Sequence, residues 1–247
     1  MKRFLIFLLL LFLLTTPAQG AQVSGAVALT FDGYSPQVVQ TLDSLGAKGT
    51  FFLLQATPEA VERLIGSDHE IGLNLEEEQD VTNLSRRQIY AMLCNAQAQL
   101  PEGYRPFWLR PPEKWGDGFR QVAEVTRHGL LRWSLDARDG LTGTQLDQIR
   151  SGDVIALGDI SPEALGELVA ILRCRNLEPV TVTELAGYQD MDILPGKVYE
   201  KFPVRRTGNF EVRITYPQCS GRRPTQRENR RRCCPWHWAR GSYSPER

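Results

Sequence analysis

Seven short apolar segments alternate with stretches of helical periodicity between Val27 and Gly187, and this order limits the folds open to the chain more than any other feature. The segments are Val27 to Asp32, Thr50–Leu54, His69–Asn74, Phe107–Leu109, Leu130–Leu135, Asp153–Leu157 and Pro179–Val182. Between them, Pro36–Leu45, Glu59–Ile65, Ser85–Leu100, Gly118–Arg127, Thr142–Arg150 and Pro162–Arg175 place apolar residues at helical spacing. Strands that alternate with helices pair in parallel through right-handed crossovers. The expected fold is therefore α/β, a distorted (β/α) parallel barrel of seven or eight strands, with an open doubly wound sheet as the alternative. No G-x-G-x-x-G follows any strand, which removes the usual dinucleotide-binding reason for the open form.

The first segment, VALTFDGYSP from Val27 to Pro36, breaks off abruptly at Asp32 and Gly33. An apolar strand followed at once by a carboxylate is how a buried parallel strand delivers a polar group to its C-terminal mouth. Asp-Gly pairs also serve as plain turns, so Asp32 gains weight only from its companions. Those are Asn74, Arg110, Asp136 with Asp139, and Gly158-Asp159, each at the end of a later strand. Barrel enzymes assemble their sites from such converging strand ends.

Outside residues 21–187 the chain changes character. Lys2 and Arg3 precede an apolar run from Phe4 to Leu14, and Ala18-Gln19-Gly20 offers small residues at cleavage spacing. Residues 1–20 are thus expected to be a signal peptide cleaved before Ala21, the run rising only about 16 Å as a helix against a hydrocarbon core of about 30 Å. This implies a secreted, periplasmic or cell-envelope protein with no membrane span after cleavage. Residues 1–202 carry 18 basic and 26 acidic side chains, whereas 203–247 carry 11 and 3. The stretch 188–247 is expected to be an irregular basic tail, and the abrupt change also fits translation in a shifted reading frame. Its arginine clusters with Trp236 and Trp238 resemble an anionic-polymer or nucleic-acid segment, and Cys233, Cys234 and His237 lack the paired C-x-x-C spacing of a zinc site. Five cysteines, Cys94, Cys174, Cys219, Cys233 and Cys234, leave an odd thiol in an exported chain, and spacing assigns no pairs.

The strand-end motifs resemble those of the polysaccharide deacetylases, the NodB-homology group related to carbohydrate esterase family 4. TFDGYSP (Thr30 to Pro36) is similar to T-F-D-D-G-P, GTFFLL (Gly49 to Leu54) to A-T-F-F-x-x-G, and HEIGLNLEEEQDVTNLS (His69 to Ser85) to the histidine-bearing second motif. WLRPPE (Trp108 to Glu113), WSLDARD (Trp133 to Asp139), VIALGD (Val154 to Asp159) and PVTVTEL (Pro179 to Leu185) follow in the family's order. The resemblance implies an N- or O-deacetylase of a glycan such as chitin or peptidoglycan. It also implies a general base at the first aspartate, a divalent metal on the second aspartate and two histidines, an arginine that orients the base through a further aspartate, and a histidine as general acid. Such a site polarises the acetyl carbonyl, deprotonates water and protonates the departing amine.

Carried over residue by residue, the resemblance keeps Asp32 as base and Arg110 with Asp139 as the orienting pair. Gly33 replaces the metal-binding aspartate, Asn74 and Glu78 fall where the two metal histidines belong, and Gly158 falls at the general acid. No cofactor is expected, although oxygen donors from Asp32, Asn74 and Glu78 would suit magnesium or calcium better than zinc. His69 is read as structural and His128 as lying in a surface turn. The expected function is an exported deacetylase-like protein of envelope-glycan metabolism with impaired catalysis, its partner an N-acetylated polysaccharide or peptidoglycan. Trp108, Trp115 and Trp133 are candidates for sugar stacking, with Trp133 also a core candidate. The alternative is an active hydrolase of acetamido carbon–nitrogen bonds that uses Asp32 with an atypical metal or none.

Overall fold

The computed structural model describes residues 25–75, 80–188 and 192–203. The expected signal peptide, the tail beyond 203, Glu78 and the cysteines Cys219, Cys233 and Cys234 lie outside the described residues. Among the described residues, Cys94 and Cys174 take part in no disulfide.

Among the described residues, nine strands form one curled sheet with parallel ladders: β1 (Gly25–Asp32), β2 (Thr50–Leu53), β3 (Glu70–Asn74), β4 (Trp108–Arg110), β5 (Gly129–Leu131), β6 (Leu135–Ala137), β7 (Val154–Leu157), β8 (Leu177–Val180) and β9 (Val198–Tyr199). Their spatial order is β6-β7-β1-β2-β3-β4-β5-β9, with β8 also paired to β1. One edge of β1 serves two partners, β8 along Gly25–Ala28 and β2 along Thr30–Asp32, while β7 pairs with the other edge along Ala28–Phe31. The described residues also form seven α-helices between or after strands: α1 (Pro36–Leu45), α2 (Pro58–Gly66), α3 (Arg86–Gln97), α4 (Asp117–Thr126), α5 (Gly143–Gln148), α6 (Pro162–Cys174) and α7 (Val182–Tyr188). Their starts follow local chemistry. Ser35, Thr57 and Ser161 accept from the third residue onward with proline next in line, and Ser85 with Gln88 and Thr142 with Gln145 form reciprocal capping boxes.

Strand alternation divides the sheet into two faces. Val27, Leu29, Phe31, Phe51, Leu53, Ile71, Leu73, Leu109, Ile155 and Leu157 pack outward beneath the helices. Ala26, Ala28, Phe52, Trp108, Leu131 and Val154 turn the other way and form a second cluster with Val182, Leu185 and Ala186 of α7. Every second residue thus faces the interior of the curl, and at the C-terminal ends the inward positions become polar.

The expected fifth strand, Leu130–Leu135, is in fact two. Its first part, β5, pairs with β4 and β9, whereas β6 pairs with β7 at the opposite end of the sheet. Arg132, Trp133 and Ser134 alone separate them, so the strand at one end of the sheet path follows directly in the chain on the strand next to the other end. The seventh strand lies at Leu177–Val180, since Thr181 and Val182 already open α7. The stretch from 188, expected to be irregular, contributes β9 and a fully buried Phe202. Two residues of strand carry too little periodicity to be seen in sequence.

That added stretch also corrects the reading of His128. The residue is buried, because Arg127 ends α4 in a left-handed turn (φ 64°) and the His128 carbonyl accepts from Gly196 at 2.8 Å. Burial lowers its pKa to about 4. His69 is structural as expected: its Nδ1 accepts from the Gly49 N–H at 3.2 Å, and its Nε2 lies 3.3 Å from Asp43 at the N-terminal end of β3.

Candidate functional site

Inward positions at the strand ends meet above the second cluster. Thr30 and Asp32 come from β1, Gly72 and Asn74 from β3, Trp108 and Arg110 from β4, and Asp136 from β6. Arg110 is the centre of the group, its side chain 0% exposed. Its Nη1 pairs with Asp32 Oδ1, and its Nη2 donates to Thr30 Oγ1 at 2.8 Å. One guanidinium thereby reads both inward residues of the end of β1. Beneath it, the Phe52 ring lies 4.1 Å from Cζ, a desolvated cation–π contact worth about 2 kcal/mol. Gly72 makes that arrangement possible, since a Cβ there would come within 2.5 Å of the Phe52 ring.

Asp32 is an exposed residue whose side chain is 21% exposed, so its carboxylate reaches solvent while serving as counter-charge to a buried cation. Asn74 Nδ2 donates to its Oδ1 at 3.5 Å. On the other side, Arg138 Nη1 stands 3.9 Å from Oδ2. Arg138 is held from three directions: Nη2 pairs with Asp136 Oδ2 at 2.8 Å, Nε donates to Asp136 Oδ1 at 3.0 Å, and Cζ lies 4.2 Å over the Trp133 ring. The hydrogen bonds from Arg138, above all, keep the Asp136 carboxyl below its ordinary pKa.

The sequence candidates are therefore brought together only in part. Asp32, Asn74 and Arg110 converge, but Asp139 lies exposed in the turn after β6, and among the described residues it makes no hydrogen bond or ion pair. Asp136, two residues before Arg138, is the carboxylate on the site's face. Arg138 itself was not anticipated. Alternation in L-D-A-R, which places 136 and 138 on one side, was the signal that could have found it. The three tryptophans also separate: Trp108 is buried with its indole N–H on Thr183 Oγ1 at 3.0 Å, Trp115 packs against the core, and Trp133 is covered by Arg138. Trp115 and Trp133 are half-buried, and Trp133 also borders the cleft beside Arg138.

Beside this group lies a cleft of about 500 Å³ lined by Glu113, Arg132, Trp133, Arg138 and Glu200. Its walls mix both signs of charge, and it opens at the junction of β5 and β6.

The described residues around Asp32 offer few donors to a divalent metal, and Glu78 lies outside them. Among the described residues no three of His, Cys, Asp and Glu cluster as ligands. Gly33, in a left-handed conformation at φ 101°, offers no donor, and the two described histidines stand elsewhere. A cation on Asp32 would also face two guanidiniums. At about 4 Å the repulsion from either matches the attraction of one carboxylate, about 8 kcal/mol for a divalent ion at an effective dielectric of 20. Gly158 is equally restrictive. A Cβ there would lie 2.3 Å from the Arg138 carbonyl oxygen, so the turn after β6 occupies the room a side chain would need.

Comparison with known proteins agrees with the motif order. Residues 19–127 match the family model described as polysaccharide deacetylase. The peptidoglycan-N-acetylglucosamine deacetylase PgdA of Listeria monocytogenes is 28% identical over 188 residues, covering 68% of this chain and 40% of that protein. The chain thus spans less than half the length of that relative. A family 4 acetyl xylan esterase from Clostridium thermocellum, solved with a cobalt ion, superposes with a TM-score of 0.61 at 26% identity, covering 72% of this chain and 100% of the other. The peptidoglycan deacetylase PdaC from Bacillus subtilis gives 0.56 at 26% identity, covering 65% and 89%. Residues 19–127 thus resemble the polysaccharide deacetylases in sequence, and the chain shares its curled parallel sheet with those two solved structures.

Proposed function

We propose that this chain is an exported, deacetylase-like protein of the cell envelope that engages an N-acetylated glycan or peptidoglycan but does not run metal-assisted deacetylation. The observation that carries the reading is the state of Asp32, whose carboxylate is paired to a fully buried Arg110 and faced by Arg138. A general base needs a lone pair aimed at water, and a metal-assisted site needs a cation to polarise the carbonyl. Here Asp32 is the counter-ion of a guanidinium. Gly33, Asn74 and Gly158 occupy the positions where metal ligands and a general acid would stand by resemblance. The relatives named for peptidoglycan support the substrate class, and Lys2 to Gly20 support export.

Acetate release from N-acetylglucosamine oligomers and from peptidoglycan, measured with and without added zinc or cobalt, tests the catalytic half. No release above the blank is expected under either condition. Release that depends on added metal would overturn the reading, and release insensitive to metal but lost in Asp32→Asn would establish Asp32 as a base instead. Calorimetric titration with the same oligomers tests the binding half, where heat with none of them removes it.

A further inference from the structure

We infer that Arg138 is the resident cation of this site: its guanidinium is clamped between the carboxylates of Asp32 and Asp136 and excludes a divalent ion from them. The inference rests on the reading that the wild-type chain works without a metal, and it adds the residue responsible. Three observations carry it. The guanidinium reaches both carboxylates, at 3.9 Å for Asp32 Oδ2 and 2.8 Å for Asp136 Oδ2. It is fixed rather than wandering, because Trp133 stacks on it at 4.2 Å and Asp136 holds it through two nitrogens. Its main chain is fixed as well, since the Arg138 carbonyl occupies the space above Gly158.

Charge and geometry together give the role. Asp32 Oδ1 is taken by Arg110, so Oδ2 is the oxygen left to face the cleft, and Arg138 stands beside it. Ion coordination needs oxygen ligands at about 2.0–2.6 Å around one point. A guanidinium between two carboxylates denies that point to an ion by both volume and like charge. Take the guanidinium away and two carboxylates with the Asn74 carboxamide border one space, a donor set of the kind that suits manganese or magnesium.

The test is a manganese titration followed by the electron paramagnetic resonance signal of the free ion, on the full chain. Arg138→Met keeps apolar contact with Trp133 and removes the charge; it is expected to bind manganese at least tenfold more tightly than the wild type. Arg138→Lys, which keeps the charge, is expected to stay at the wild-type level, and Asp136→Asn added to Arg138→Met should abolish the gain. Arg138→Gln, with thermal unfolding of every variant, guards against a folding defect in the Met variant and is expected to bind like it. Equal binding by wild type and both neutral variants overturns the inference, as does a gain that survives Asp136→Asn. Tight manganese binding by the wild type, accompanied by metal-dependent acetate release, instead overturns the functional reading on which it rests.

Discussion

Replacing Asp32 by Asn separates a structural carboxylate from a catalytic one. Arg110 is fully buried, and its anchors are the Asp32 carboxylate, the Thr30 hydroxyl and the Phe52 ring. The amide keeps a hydrogen-bond acceptor but removes the charge that answers the guanidinium. Breaking a buried ion pair by losing one partner costs about 3–5 kcal/mol. Because the Asp32 side chain is 21% exposed and the residue borders solvent, the lower end is an upper bound, at most about 3 kcal/mol. For a domain of this size that bound corresponds to a fall in Tm of about 6–12 °C. Arg110→Met should cost less, since the carboxylate left behind touches solvent and keeps Arg138 at 3.9 Å, while the methionine packs on Phe52. The double variant should then be more stable than Asp32→Asn alone, a coupling that a thermal-unfolding cycle reads directly. A catalytic carboxylate held at a cost to the fold behaves oppositely, its removal leaving stability unchanged or raised. An unchanged or higher Tm for Asp32→Asn would therefore refute the counter-ion assignment.

Three further outcomes follow from the same structure. His128, its pKa lowered from 6.5 to about 4 by burial, binds protons more readily in the unfolded chain. Its contribution of about 3 kcal/mol is complete above pH 6.5 and is lost as the pH falls toward 4; urea unfolding should show this acid limb flattened in His128→Gln, and an unaltered slope would count against it. Glu70, enclosed by Thr50 and Thr183 at the start of α7, has its pKa raised chiefly by burial, so its share of stability is greatest below pH 4.5 and declines as the pH climbs through the raised value. Glu70→Gln should remove that decline, and a wild-type-to-variant difference constant from pH 4 to pH 8 would overturn the assignment. Gly158→Ala places a Cβ 2.3 Å from the Arg138 carbonyl and should destabilise by about 1–3 kcal/mol, checked by the same melts; no loss would mean the turn after β6 gives way freely.

The parallel architecture was legible because most β-strands carry an apolar run and most helices a side-chain cap, from Ser35 to Ser161. The mouth of β1 was legible for the same reason, an apolar run stopping at Asp32. Asp139 was misplaced because motif spacing counts residues along the chain, whereas the sheet sorts them by parity, and parity selects Asp136 and Arg138. His128 and the extent of the sheet were missed together. The segment that covers them, 192–203, binds through main-chain hydrogen bonds and a two-residue strand, which leave no pattern in side-chain type. That Trp133 is capped by a guanidinium could not be read from composition, since it depends on the chain crossing from one end of the sheet to the other within three residues.

That crossing sets where the shell can open. Elsewhere around the curl, neighbouring strands are riveted by rungs of N–H to O=C bonds, and spreading them means breaking several at once. At Arg132, Trp133 and Ser134 the two margins are tethered end to end by peptide alone, with a clasp below where Lys201 meets Asp153 at 2.7 Å and Phe202 N–H meets the Gly152 carbonyl at 2.8 Å. Torsion about a few bonds is cheaper than unzipping a ladder, so this crossing, beside Arg138, is where opening the shell costs least.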